Sequence, residues 1–179
     1  MARQAAAKYV ILGWLHIEPM SGYDLRERIA SSTGYFWHES FGSIYPALAR
    51  LESEGLIEPV AGNAGHPSRR VYRTTHAGRA QLRTWLEGPY TRTLSRNEFV
   101  LKVFFGSLLQ PQRLREHVLR YRDEHVRART DLAAIESRLA ADVEHPSTSS
   151  RLLTVRLGLR LCDATLAWCD EALSALGAQ

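Results

Sequence analysis

Gly42 to Leu56, GSIYPALARLESEGL, has the period of a short helix with one dry face. Ile44, Leu48 and Leu51 recur at i, i+4 and i+7, which lines them up as a stripe toward a core. Tyr45, Ala49 and Glu52 fall on another face, and Arg50 projects beside them. Pro46 lacks an N–H and blocks a helix interior, so it belongs in the first turn, where that donor has no bond to lose. Gly55 ends the helix as a C-terminal cap, and Leu56-Ile57 opens a strand. Alone, the run fits any amphipathic helix. Its neighbours narrow the reading.

Upstream, residues 5–17 (AAAKYVILGWLHI) read as a mostly buried helix. Ser21-Gly22-Tyr23-Asp24 has the S-x-x-D spacing of a capping box, in which the hydroxyl bonds orphan N–H groups of the first turn. Leu25 and Ile29 carry that helix to about Ser32. Downstream, LIEPV (56–60) and RRVYRTT (69–75) flank the turn-rich AGNAGHPS (61–68) as the two arms of a hairpin. Pro59 confines the first arm to a sheet edge. Thr75 then caps a helix running through Leu82, Trp85 and Leu86, and Trp14, Trp37 and Trp85 read as core.

Helix, helix, helix, two-stranded wing, helix is the winged helix-turn-helix order. The ordered pieces are ILGWL at 11–15, Pro19 with SGYDL at 21–25, Phe36-Trp37, GSIYPAL at 42–48 and RLESEGLIE at 50–58. RRVYRTT, Ala77-Gly78-Arg79 and Trp85-Leu86 complete them. In that order the chain resembles the PadR-like family of bacterial transcriptional regulators. RNEFVLKVFFGSLL at 96–109 is similar to the opening of the family's helical C-terminal domain, and residues beyond it match in pattern more than in sequence. The resemblance implies a DNA-binding regulator, usually a repressor, that dimerises through its C-terminal domain. It also implies a DNA affinity that answers to a small molecule, a phenolic acid in some members and a hydrophobic cationic drug in others.

The second half can be read without the resemblance. Ser95-Arg96-Asn97-Glu98 has capping-box spacing and opens a helix with Phe99, Val103 and Phe104 on its apolar side. Pro111 opens a long helix in which Leu114, Val118, Tyr121, His125, Ala128, Leu132, Ile135 and Leu139 alternate spacings of four and three, a heptad seam. His145-Pro146-Ser147 breaks it. Leu152, Val155, Leu159, Cys162, Leu166, Cys169, Leu173 and Leu176 form a second seam, so the two helices make an antiparallel hairpin. The last helix carries a further apolar stripe at Leu153, Leu157, Leu161, Ala164 and Trp168. A helix apolar on two sides needs two partners. One is its hairpin mate; the other is the same helix of a second copy or the chain's own N-terminal domain, and a homodimer is the expectation.

The fold expected is therefore mainly α: a winged helix-turn-helix domain over residues 1–88 and a coiled-coil-like helical hairpin over 95–179. With 45% hydrophobic and 23% charged residues in 179, the composition is that of a globular protein. The apolar run from Tyr9 to Ile17 falls short of the roughly 20 residues a membrane span needs. No small-residue cleavage site follows it, and a cytoplasmic protein without a membrane partner is expected. Cys162 and Cys169, seven residues apart on one helix, stand about 10 Å from each other, too far for a disulfide, and read as packing. The net charge of +4 is modest, but residues 59–86 hold Arg69, Arg70, Arg73, Arg79 and Arg83 with no Asp or Glu. That distribution suits a phosphate backbone, and a solvated basic face equally until geometry is added.

The candidate DNA contacts follow. Gly42 and Ser43 let backbone approach backbone at a helix N-terminus, where N–H groups favour phosphate. Tyr45, off the apolar stripe, offers a hydroxyl and a flat ring to a base or sugar; Pro46 lies beside it, and Arg50 can reach a phosphate or base edge. Arg69 and Arg70 follow the wing tip and alternate faces, so one of them meets solvent or DNA. Lys8 and Tyr23 are further phosphate candidates. Tyr121 and His125 put polar atoms into an aliphatic seam, either as satisfied core positions or, with Tyr9 and Trp168, as the lining for a small aromatic or hydrophobic effector. No H-E-x-x-H, C-x-x-C, G-x-S-x-G or phosphate-cradling glycine loop is present, so no catalytic residue, cofactor or metal ligand is assigned. The competing reading is an adaptor that keeps the winged helix for protein contact without DNA binding.

Overall fold

The computed structural model describes residues 2–34, 36–37, 44–60, 70–90, 96–142 and 145–177, with residues 2–7 as backbone only. The chain divides into two units, Met1–Thr91 and Arg92–Gln179. The fold is mainly helical, a winged helix-turn-helix followed by a long helical hairpin.

In the first unit, α1 (Ala2–Ile17) buries Ile11, Leu12, Trp14 and Leu15 among its described side chains. β1 (Met20–Ser21) is a two-residue strand, and Ser21 is also the N-cap of α2 (Gly22–Arg28). The capping box forms: Ser21 Oγ accepts from the Asp24 N–H at 3.2 Å, and the Asp24 carboxylate accepts from the Ser21 N–H at 3.3 Å. After Arg28 the helix widens into one π-type turn, Ile29–Thr33, instead of continuing as α-helix to Ser32. α3 (Ile44–Ser53) buries Ile44, Leu48 and Leu51, and Pro46 sits in its first turn. Gly55, at φ 68°, turns the chain out of α3 in a conformation that an L side chain resists.

β2 (Ile57–Pro59) and β3 (Val71–Thr74) pair antiparallel, Ile57 against Thr74 and Pro59 against Tyr72. The wing has a third strand, because β1 pairs with the other side of β3, Met20 against Tyr72. The order β1-β3-β2 leaves Pro59 on an edge strand, where its missing N–H disrupts no ladder. The Thr74 hydroxyl donates to the Leu12 carbonyl at 3.1 Å, fastening β3 to α1. Thr75 caps α4 (His76–Glu87) by accepting from the Gly78 N–H at 3.1 Å. The core closes over Leu12, Leu25, Leu51, Ile57 and Leu82, each of which contributes about 1.5–3 kcal/mol by leaving water.

Trp85 corrects its expected core position: it is 45% exposed and stacks on Tyr9, ring centroids 4.5 Å apart. Trp14 is buried, and Trp37 is half-buried.

The second unit opens with α5 (Glu98–Phe104), whose N-cap is Asn97, accepting from the Val100 N–H at 3.2 Å. Ser95 lies outside the described residues, and the capping role expected at 95–98 falls two residues later. α5 buries none of its residues, and Phe104 is 78% exposed. A single 3-10 turn, Gly106–Leu108, leads into α6 (Pro111–Ala141), and α7 (Thr148–Gly177) follows. Arg122 pairs with Asp170, Arg129 with Asp163 and Glu136 with Arg156, at 2.6–2.8 Å. Each step of seven along α6 thus meets a step of seven back along α7, the register of an antiparallel heptad pair. Val118, Leu132, Leu139, Val155, Cys162 and Cys169 are buried along the seam. Burial pushes both thiols above their ordinary value, which keeps them neutral. Among the described residues no helix is long and apolar enough to cross a membrane.

Candidate nucleic-acid interface

The face of α3 opposite its buried stripe carries Tyr45, Pro46, Ala49 and Arg50, all exposed. Burying Ile44, Leu48 and Leu51 fixes the rotation of the helix, and that rotation presents Tyr45, half exposed, at the start of the helix. Its ring lies over α2. A Cβ built on Gly22 would come within 2.7 Å of Tyr45 Cε1 and 3.1 Å of Leu48 Cδ1, so only glycine admits the ring there. Gly22 is a positioning residue that sequence reasoning missed. Its only sign in the sequence is its place between a capping serine and Tyr23.

Arg50 is exposed and makes a loose ion pair with Glu54 one turn on, at 3.8 Å. Arg70, at the foot of the wing, is held differently. Its Nη2 lies 2.8 Å from Glu52 Oε1 and its Nη1 donates to Glu52 Oε2 at 3.4 Å, a two-point fork between wing and α3. The same guanidinium stands over the Tyr72 ring, 5.6 Å from its centroid. Burial raises the Tyr72 phenol above its ordinary value and the Glu52 charge adds to that, while Arg70 opposes both.

Two arginines of the acid-free run, Arg70 and Arg73, are therefore matched by acids. Arg73 pairs with Glu58 at 2.8 Å, and Arg79 donates to the Thr74 carbonyl at 3.0 Å. Arg83 is exposed. The acids that match Arg70 and Arg73 come from α3 and β2, a short way upstream in sequence. Tyr23 is 59% exposed on α2, and Lys8 extends over the Tyr9 ring, 5.0 Å from its centroid. Gly42, Ser43 and Arg69 lie outside the described residues.

In the second unit, three of the four residues considered for a small molecule come together around Phe99. Its ring stacks on Tyr121 with centroids 3.8 Å apart and meets Trp168 edge-on at 5.8 Å. His125 tilts against Tyr121 at 4.3 Å and its Nδ1 lies 2.8 Å from the Tyr121 carbonyl. Asn97 Nδ2 donates to the Tyr121 hydroxyl at 3.4 Å. Tyr9 belongs to the first unit, where Trp85 occupies one face of its ring. Among the described residues no group of three or more His, Cys, Asp or Glu side chains could hold a metal ion.

Comparison with known proteins adds independent observations. Residues 11–84 match the family described as Transcriptional regulator PadR-like, and residues 95–177 match Virulence activator alpha C-term. The Negative transcriptional regulator PadR of Bacillus subtilis (strain 168) is 32% identical over 146 residues, 80% of each chain. The structure of Bacillus subtilis PadR in complex with operator DNA has a TM-score of 0.82 at 25% identity, covering 96% of this chain and 99% of that one. PadR in complex with p-coumaric acid gives 0.78 at 25% identity, over 95% and 98%. The PadR-like regulator BC1756 from Bacillus cereus gives 0.83 over 96% and 98%, and at 22% identity it speaks to the fold alone.

Proposed function

Because this chain belongs to the PadR-like family of transcriptional regulators, we propose that it is a repressor that binds duplex DNA as a homodimer on a pseudo-palindromic operator. The observation that carries the proposal is the outward face of α3, where Tyr45 and Pro46 stand exposed in the first turn and Ile44, Leu48 and Leu51 anchor the other side. Gly42, Ser43, Tyr45, Pro46 and Arg50 meet the major groove and its rim. Arg69 and Arg70 meet the backbone beside the wing, and Lys8 and Tyr23 meet phosphates. The relative solved on operator DNA and named a negative regulator supports both the partner and the sign. Such a protein works where the chromosome is, in the cytoplasm, as a regulator and not an enzyme.

Dimerisation rests on α7. Leu153, Leu157 and Leu161 are 69%, 62% and 60% exposed, a stripe that a second copy covers. Two copies then present their α3 helices one turn of DNA apart, about 34–36 Å. The effector is a small aromatic or hydrophobic molecule bound beside Phe99, Tyr121, His125 and Trp168, with p-coumaric acid in PadR as the supporting case.

The test is fluorescence anisotropy with duplex from upstream of the protein's own coding region, at two salt concentrations. Arg70→Ala weakens binding to every sequence and flattens the salt dependence, because a phosphate contact carries no sequence information. Tyr45→Ala instead relaxes sequence preference. Equal affinities for both variants and the wild type overturn the assignment, and failure of the wild type to shift any duplex favours the adaptor. Added p-coumaric acid tests the effector reading in the same cell.

A further inference from the structure

We infer that Glu52 is a specificity-determining residue that touches no DNA: by forking onto the Arg70 guanidinium it competes with phosphates for that charge and holds down sequence-independent binding. The inference rests on the DNA-binding reading above and concerns the same interface.

Glu52 sits in the last turn of α3, off the buried stripe, and its side chain retains 29% of its exposure against 44% for Arg70. Two contacts, at 2.8 and 3.4 Å, join both carboxylate oxygens to both terminal guanidinium nitrogens, the pairing of a fork. The Tyr72 ring beneath the guanidinium limits its swing. At a distance beyond a few ångströms this pair is a neutral dipole. A phosphate therefore meets Arg70 with its charge already matched, and must compete with a carboxylate that the α3 backbone holds in place. Non-specific attachment comes almost wholly from such lysine and arginine contacts through released counterions. A matched arginine contributes less to it than a free one. Base-edge reading by Tyr45, two turns earlier on α3, is untouched.

Arg50 offers a contrast on the same helix. Its pairing with Glu54 is single-point at 3.8 Å between two exposed side chains, of the kind worth little in water. Arg50 is therefore open to phosphate and Arg70 is partly held back, although each has an acid within reach.

The experiment measures wild-type, Glu52→Gln, Arg70→Ala and the double variant on a scrambled duplex and on the upstream duplex, across a salt series. Glutamine keeps the length and an acceptor oxygen and removes the charge. On the scrambled duplex, Glu52→Gln is expected to bind about five-fold more tightly and to steepen the slope of log K against log salt, by less than the about 0.9 of one whole phosphate contact. In the Arg70→Ala background both changes disappear. Circular dichroism melting confirms that each variant is folded, and Glu54→Gln controls for simple removal of an acid from the helix end. An unchanged affinity for scrambled DNA overturns the inference, as does a gain that persists without Arg70, which makes Glu52 a repulsive charge and nothing more. A wild type that binds no duplex at all removes the DNA-binding reading itself, a different result.

Discussion

In the first unit the buried residues come from α1, α2, α3, the wing and α4 and close on one another, Leu12, Leu25 and Leu51 to 0% exposure. In the second they form a column along one face of two helices, with Leu153, Leu157, Leu161, Leu101, Phe104 and Leu108 all more than half exposed. A cluster built from five elements is complete within one chain. A two-helix seam is one-sided, because each helix has a second face that its hairpin mate does not cover. The difference teaches which unit is self-sufficient: the winged helix carries its own core, and the hairpin carries half of one.

Substituting the exposed stripe of α7 puts the strongest stress on this contrast. Leu157→Arg places a charge on the stripe proposed for the second copy, and leaving a charge buried and unpaired costs about 3–5 kcal/mol. The dimer is expected to dissociate at micromolar concentration in sedimentation velocity, operator affinity to collapse with it, and the melting of the first unit to stay where it was. A dimer of unchanged affinity would mean that α7 has another use. Leu51→Ala is the counterpart in the closed core. It removes a side chain at 0% exposure and is expected to cost the first unit about 2–5 kcal/mol in urea unfolding, whereas Leu157→Ala in a monomeric background costs almost nothing.

A smaller effect separates packing from recognition inside the first unit. Gly22→Ala inserts a methyl group 2.7 Å from the Tyr45 ring, which must move. Discrimination between operator and scrambled duplex is expected to fall by about ten-fold, the scale of one lost base contact. In a Tyr45→Ala background the same change should leave discrimination as it stands. If Gly22→Ala still lowers it there, the glycine acts through Leu48 and the core instead.

Much of this architecture is written in periods. The 44-48-51 stripe and the two heptad seams name their own buried faces, and the seams include the cysteines. What the chain does not display is anything that depends on a partner distant in sequence. β1 is two residues long and has no period of its own; only β3 lying beside it makes it a strand. The arginine run of 69–83 looks uncompensated because Glu52 and Glu58 precede it and meet it only when the wing folds back. Trp85 has the composition of a core residue, but Tyr9 shields one side of it and leaves the other to solvent. At α5, Ser95 and Asn97 are both competent caps, and spacing alone does not choose between them. For the interface, the exposure of Tyr45 follows from the stripe, whereas the Gly22 contact and the Glu52 fork require coordinates.

The two caps provide the finest test of the contrast. Ser21 and Asn97 each satisfy a first-turn N–H, Ser21 in a capping box that is itself part of a buried strand, Asn97 at a helix with no buried residue. Removing a cap costs the protein no more than the free energy that keeps its helix docked, since beyond that the helix frays and the rest stays folded. Ser21→Ala is therefore expected to cost about 1 kcal/mol in chemical unfolding. Asn97→Ala should cost the isolated monomer far less, even though it also loses the donor to the Tyr121 hydroxyl. The comparison should change on dimerisation if α5 belongs to the surface that a second copy covers. Asn97→Ala would then become costly in the dimer and stay mild in the Leu157→Arg monomer. Equal losses in both backgrounds would show that α5 stands apart from the interface and that α7 alone holds the copies together.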